Sequence, residues 1–354
     1  MKFLIYIPQL IFGGAEKVLV NFANDLVSRG HQVEVLELYE KGLLKPQFDS
    51  RVTFSAICSK EYTHRYYASL DQVRKNPLLV GKLVFSKLVG YRKFAEMLAA
   101  KRYRGREFDA AINYLEIESP DFLLNHVKAR RYLQWIHIDV ANLEHPEELD
   151  HHVPAWGRTD GIICVSRQAT DNFKARYPSL AEKAHLIYNF YDEASIRKLG
   201  NAPCALSGSS PALLSVGRMT EQKKYLRFLD VLARLRDDGF SFSWHVLGDG
   251  VQREAIEHNI QKLNLQDRVF LHGLTDNPYK YMKNCDLFVL PSGWEGFPTV
   301  TVEAKILGRP VFATDVAGIR EQLRHGETGW IVENEEEAIY EGLKYLLNHP
   351  QVTN

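Results

Sequence analysis

Short apolar runs alternate with helix-length amphipathic segments along the chain, and the alternation restarts after a Pro-, Gly- and Ser-rich break. In the first half, FLIYIP (3–8) meets a Gly-Gly turn, and a helical pattern from Ala15 to Ser28 ends at Gly30. Further strand candidates are QVEVLEL (32–38), DAAINY (109–114), RYLQWIHI (131–138), GIICVS (161–166) and KAHLIYN (183–189). The stretch Gly200 to Pro211 (GNAPCALSGSSP) reads as a linker. Beyond it come LLSVG (213–217), leucines at helical spacing (Leu226, Leu229, Leu232, Leu235), FSWHVLG (242–248), RVFLHG (268–273), DLFVLP (286–291) and PVFATD (310–315). Strands separated by helix-length segments pair in parallel, because only a crossover returns the chain to the same end of the sheet. At 354 residues the chain also exceeds what a single core usually organises. The expectation is α/β: two Rossmann-like, doubly wound domains, 1–200 and 201–354, facing a cleft. Ligands in such sheets bind beyond the C-terminal strand ends.

Composition narrows the class. Lys plus Arg and Asp plus Glu both number 44, so the net charge is zero and a uniformly basic nucleic-acid binder is disfavoured. No apolar run approaches the length of a membrane span; the richest, Leu78 to Val89, is broken by Lys82 and Lys87. The N-terminus has a faint signal-peptide character, but Pro8, Gln9 and Glu16 interrupt it, and Phe3 to Ile7 reads better as a buried first strand. Cys58, Cys164, Cys204 and Cys285 lie far apart without metal-ligand spacing, which fits a reducing cytosol. The zero is itself a cancellation. Residues 74–106 hold ten Lys or Arg against Glu96 alone, a net +9, so the remainder carries −9. Leu78, Leu83, Phe85, Tyr91, Phe94 and Met97 lie among those charges. A basic amphipathic stretch suits an anionic membrane surface; a solvated helical face covering the first sheet fits the same residues.

The most informative segment is PSGWEGFPTVTVEAKILGRPV (291–311). It follows a strand candidate and opens a helix, with Pro298 suited to the first turn. Amides of Phe297, Thr299 and Val300 at that helix N-terminus would form an anion seat. Glu295 and Glu303, with seven residues between them, bracket it. Carboxylates accept from pairs of sugar hydroxyls, so a nucleotide-diphospho sugar matches the seat; a plain turn followed by a solvated helix is the blander alternative. In LLSVGRMTEQKK (213–224), Arg218 stands just past a strand and Lys223 is expected to start the next helix. Two fixed cations can neutralise a departing diphosphate, and the chain has no Asp-x-Asp pair to hold a metal there. Gly13-Gly14, within Phe12-Gly13-Gly14-Ala15-Glu16, lets backbone approach a phosphate or sugar, although a tight turn explains it equally. His137, at the end of a strand candidate, can hydrogen-bond a sugar or serve structure alone. His145, His151 and His152 show no metal-ligand spacing and read as loop residues.

Together Gly13-Gly14-Ala15-Glu16, His137, Gly217-Arg218 with Lys223, CDLFVLPS (285–292) and above all EGFPTVTVEA (295–304) resemble the retaining glycosyltransferases of family four, which have the GT-B fold. The likeness is clearest from Leu213 to Val332 and weakest over 50–108. It implies that Arg218 and Lys223 hold the donor diphosphate as leaving group, and that Glu295 binds the transferred sugar near O3 and O4. It implies further that Glu303 holds the ribose, and that amides of Gly296, Phe297, Pro298, Thr299 and Val300 (Pro298 lending only its place in the turn) line sugar and phosphate. Gly217 would lie against the phosphates, His137 would face the sugar's O6 region, and Gly13 and Gly14 would close over phosphate or acceptor. Attack from the front face, with the leaving phosphate assisting deprotonation, requires no separate base. Two departures stand out: the family usually has Gly where this chain has Lys224, and usually ends in a long helix returning to the first domain, whereas about 20 residues follow Glu333.

The resemblance implies a metal-independent transferase without cofactor, moving a hexose or N-acetylhexosamine from a nucleotide-diphospho sugar, UDP-sugar first, to a glycan or lipid-linked acceptor. The expected setting is bacterial surface-polysaccharide assembly in the cytoplasm at the inner face of the membrane, with peripheral contact through 74–106 and no nucleic acid. The alternatives are a GT-B-type nucleotide-sugar epimerase or phosphorylase, and a catalytically inactive partner protein. A glycosidase leaves the two cations without a purpose.

Overall fold

The computed structural model describes residues 1–11, 13–59, 89–141, 143 and 145–352. Phe12, in the first glycine-rich loop, and residues 74–88 of the basic segment lie outside the described residues. The chain divides into two compact units. The first comprises Met1–His137, Glu144–Cys164 and Phe173–Phe190, and the second Ile138–Leu143, Val165–Asn172 and Tyr191–Asn354.

The first unit carries seven strands: β1 (Lys2–Ile7), β2 (Gln32–Tyr39), β3 (Thr53–Cys58), β4 (Glu107–Asn113), β5 (Lys128–Ile136), β6 (Gly161–Cys164) and β7 (Ala184–Leu186). All neighbours are parallel in the order β3-β2-β1-β4-β5-β6-β7. Ile5 stands in register with Val35 on one side and Ile112 on the other. The strand order reverses at β1 and β4, which makes their C-terminal ends the switch point where such sheets bind ligands. Leu4, Ile5, Val35, Leu36, Ala111, Ile112, Ile136 and Ile162 are all buried, so both faces are covered. Helix Gly14–Ser28 ends on Gly30 at φ 82°, with the His31 amide reaching back to the Leu26 carbonyl.

The second unit carries β8 (Ala212–Val216), β9 (Ser243–Leu247), β10 (Val269–Gly273), β11 (Leu287–Leu290), β12 (Val311–Thr314) and β13 (Trp330–Val332). They form a parallel sheet in the order β10-β9-β8-β11-β12-β13. The two-residue period sorts side chains between two cores. Leu213, Val289 and Phe312 pack with Phe228, Leu232 and Leu343 on one face; Leu214, Phe288 and Ala313 pack with Ile306 and Ile319 on the other.

Two independent doubly wound sheets match the expected class. Both unpredicted strands are edge elements: β3 mixes Thr53 and Ser55 into its apolar positions, and β13 is three residues long. The boundary expected at 200/201 falls at 190/191, because Ile196 of helix Glu193–Gly200 packs in the second unit's core. The Gly200–Pro211 stretch therefore lies within the second unit, where Leu206 also packs against that core. Helix Glu336–Asn348 follows β13 and buries Ile339, Leu343 and Leu346 in the second unit. All four cysteines are free thiols, and among the described residues no helix is long and apolar enough to cross a membrane.

Candidate active site

The second unit gathers its polar side chains at the C-terminal ends of β8 and β11. The chain leaves β8 through Gly217 and Arg218, makes a 3-10 turn over Glu221–Lys223, and enters helix Tyr225–Asp237. Lys223 thus closes the turn rather than starting the helix. Lys224, where a glycine was the expected residue, takes φ 50° and ψ 34°, the left-handed conformation that glycine adopts freely and other residues adopt at a cost. Its ammonium pairs with Glu221 and lies 5.5 Å from the centre of the Trp294 ring. Gly217 is glycine for a spatial reason: a Cβ there would come within 2.8 Å of Lys223 Cε, so the lysine stem lies directly over it.

That stem brings Lys223 Nζ to 2.6 Å from Glu295 Oε1, with side chains only 13% and 10% exposed. Gln222 straps the two segments together. Its side-chain amide donates to the Trp294 carbonyl at 2.9 Å and to Glu295 Oε2 at 3.3 Å, and its own carbonyl accepts from the Gly293 amide at 2.7 Å. Arg218 is exposed; its carbonyl accepts from the Thr220 amide at 2.9 Å, while among the described residues its guanidinium has no ion-pair or hydrogen-bond partner and is available to an anion.

Pro298 occupies the N-cap of helix Thr299–Ile306, one position before the first turn expected for it. The amides that follow have no acceptor within the helix and point out of its N-terminus. This entrance is held from behind. Gln322 donates to the Pro298 carbonyl at 3.1 Å and accepts from the Thr301 hydroxyl at 2.5 Å. Gly318, at φ 78°, lets the Gly296-Phe297 backbone pass where a Cβ would stand 3.0 Å from the Gly296 carbonyl oxygen. Glu303 is 6% exposed, and its Oε1 accepts from the Tyr279 hydroxyl at 2.9 Å.

The first unit builds a second polar group at the ends of β1, β4 and β5. The backbone amide of His137 donates to Glu116 Oε2 at 2.9 Å. One ring nitrogen of His137 bonds the Tyr114 carbonyl while Nε2 is buried without a partner among the described residues, and burial pushes the ring's pKa down to about 3. The imidazole is therefore neutral at physiological pH and offers Nε2 as an acceptor. Burial raises the pKa of Glu116, the His137 amide opposes the rise, and the nearby Glu16 carboxylate adds to it. Gly13 caps helix Gly14–Ser28, and a Cβ there would fall 2.2 Å from Glu16 Oε2, so glycine makes room for a buried carboxylate.

Within the second unit Gly217, Lys223 and Glu295 meet, and Gly296–Val300 and Glu303 share the adjoining helix entrance; His137, Gly13 and Gly14 belong to the first unit. The Glycosyltransferase Family 4 profile matches residues 12–195, more than half of the chain. The chain belongs to glycosyltransferase family 4. A second profile, Glycosyl transferases group 1, covers residues 204–354. Among its relatives, the lipopolysaccharide core biosynthesis glycosyltransferase LpsE of Rhizobium meliloti is 28% identical over 324 residues, 91% of this chain and 81% of that protein. The N-acetylgalactosamine-N,N'-diacetylbacillosaminyl-diphospho-undecaprenol 4-alpha-N-acetylgalactosaminyltransferase of Campylobacter jejuni is 31% identical over 194 residues, 54% of this chain and 52% of that protein. With three such relatives the chain shares only 30% to 52% of their length. Anabaena HepE, solved in complex with UDP-glucose, superposes with a TM-score of 0.72 at 19% identity, covering 100% of this chain and 91% of HepE; the likeness is one of fold.

Reading the sequence missed Gln222, Gln322, Tyr279 and Glu116, all of which hold other site residues in place. None carries a motif of its own. A tyrosine on a six-residue helix that also carries Lys280 and Lys283 shows no site pattern, and a glutamine between two charged residues reads as surface.

Proposed function

We propose that this chain is a retaining, metal-independent glycosyltransferase, moving a hexose or N-acetylhexosamine from a nucleotide-diphospho sugar to a glycan or lipid-linked acceptor in bacterial surface-polysaccharide assembly. The observation that carries the reading is the Lys223–Glu295 pair at the mouth of helix Thr299–Ile306, with the Arg218 guanidinium, just past β8, unpaired among the described residues. The helix entrance and Arg218 receive the diphosphate. Lys223 shares its three protons between Glu295 and the leaving phosphate, taking up the negative charge that grows as the glycosidic bond breaks. This is the charge neutralisation a divalent metal would otherwise supply, here by fixed ammonium and guanidinium groups. Glu295 accepts from hydroxyls of the transferred sugar, and Glu303 from the ribose. His137, Gly13 and Gly14 belong to the first unit, and for them the proposal keeps the roles that the resemblance implies.

UDP is the first nucleotide to try, since HepE was solved with UDP-glucose. LpsE and the Campylobacter enzyme, by their names, act in lipopolysaccharide core synthesis and on a diphospho-undecaprenol substrate, which favours a surface-glycan setting. Peripheral contact with the inner face of the membrane belongs to the same proposal. Its support in the described part of the basic segment is helix Tyr91–Tyr103 with the residue after it. Phe94, Ala95, Ala99 and Tyr103 face inward, while Lys93, Met97, Lys101 and Arg104 form one exposed stripe.

A thermal-shift screen against UDP-, GDP- and ADP-sugars, with EDTA present, tests the donor class and the independence from metal. The anomeric proton coupling of the product, read by NMR, tests retention. Stabilisation by none of these sugars overturns the reading.

A further inference from the structure

Glu303 lies on the second turn of helix Thr299–Ile306, and a helical side chain leans back toward the N-terminus, which carries this carboxylate toward the diphosphate seat. A glutamate is poorly suited to that task alone. Its rotatable bonds lose conformational freedom when fixed, and a nearly buried carboxylate needs hydrogen-bond donors to remain ionised. Tyr279 answers both needs. It sits on helix Tyr279–Asn284, is 2% exposed, and belongs to the buried core that also holds Ile196, Leu247, Met282 and Ala304. Phenylalanine would fill that space without burying a hydroxyl. The hydroxyl instead donates to Glu303 Oε1 at 2.9 Å. Burial, reinforced by the Glu303 charge, holds the phenol pKa well above its ordinary value, so the proton stays on the tyrosine.

We infer that Tyr279 is a positioning residue for donor recognition: by fixing Oε1 it presents Glu303 ready-ordered to the ribose diol, so that part of the ordering cost is met before the nucleotide arrives. The inference rests on the proposed donor site. Its consequence is specific: the hydroxyl of Tyr279 governs affinity for the ribose hydroxyls and little else about the nucleotide.

The test measures binding of UDP and of 2′,3′-dideoxy-UDP by isothermal titration, with the GDP and ADP pairs run alongside so that whichever base binds is read. The proteins are wild type, Tyr279→Phe and Glu303→Ala, each checked by thermal melting to be folded. Wild type should prefer the ribonucleotide by about tenfold or more, the worth of hydrogen bonds to a charged group. Tyr279→Phe should lose most of that preference while binding the dideoxy nucleotide within about twofold of wild type, an effect that loss of packing alone would not confine to one ligand. Equal weakening of both ligands, or an intact preference, overturns the role of Tyr279. An intact preference in Glu303→Ala overturns the ribose assignment beneath it, which separates failure of the site from failure of its support.

Discussion

Lys223 Nζ and Glu295 Oε1 stand 2.6 Å apart, nearly shielded from solvent. The cation assigned to the leaving phosphate and the carboxylate assigned to the sugar are thus each other's partner. Lys223→Ala should abolish transfer, and it should also destabilise the fold by about 3 kcal/mol, because it strands a buried carboxylate. Glu295→Ala should abolish transfer in the same way. Near-normal turnover in the Lys223 variant, measured as nucleotide diphosphate released, would remove the diphosphate assignment.

Glu303 stands apart from that pair, held by Tyr279, and its proposed contact is with a part of the donor that does not react. Glu303→Ala should therefore raise the donor KM about tenfold or more with a much smaller fall in kcat, the pattern of an interaction shared by ground and transition states. Steady-state kinetics at varied donor concentration distinguish this from a loss confined to kcat, which would place Glu303 at the reacting centre.

The parts of this arrangement legible in sequence are those with a local cause. Strands announced themselves as apolar runs because both faces of each sheet are buried. The Glu295–Glu303 spacing was visible because one loop and one helix carry both residues. What stayed hidden depends on segments far apart in the chain: Gln222 holding Trp294 and Glu295, Gln322 holding Pro298, and Tyr279 holding Glu303. The unit boundary was misplaced for a related reason. Composition marked Gly200–Pro211 as a break, but the packing of Ile196 decides to which unit the preceding helix belongs.

The same distinction reshapes the membrane proposal. Of the basic residues in helix Tyr91–Tyr103, Arg92 is committed to Glu96 and Glu118, and Arg102 donates to the Ala56 carbonyl. Reversing their charge would perturb the fold along with any surface. Lys93, Lys101 and Arg104 are the residues to change. Substituting all three by glutamate should weaken sedimentation with anionic vesicles by at least about 1 kcal/mol per residue at low salt, leaving turnover of a soluble acceptor intact. Unchanged vesicle binding would exclude this face as the contact.

Lys224 offers a test of local geometry independent of function. Its left-handed backbone costs a residue with a Cβ about 1–2 kcal/mol, set against an ion pair to Glu221 and the Trp294 ring. Lys224→Ala removes the contacts and keeps the strain; Lys224→Gly removes both. The glycine variant should accordingly be more stable than the alanine variant by about 1 kcal/mol in urea unfolding. Equal stabilities would mean that this backbone is not left-handed.

His137 makes the final prediction, and its sign follows from burial. The folded ring has a pKa near 3, whereas an unfolded histidine titrates near 6.5. Between those values the unfolded chain binds a proton that the folded chain does not, so stability falls as pH drops from about 6.5 toward 3, by at most about 1.4 kcal/mol per pH unit for this residue. Above pH 7 the contribution is constant. His245, whose pKa burial pushes down to about 4, acts in the same direction in the second unit. His152, whose pKa burial also lowers, adds to the same effect in the first unit, so His137→Gln should remove only the share of His137, leaving a shallower fall of stability between pH 6.5 and 4 in chemical denaturation followed by circular dichroism. An unchanged slope would mean that the ring takes up its proton in the folded state, and with it the reading of Nε2 as a neutral acceptor would fall.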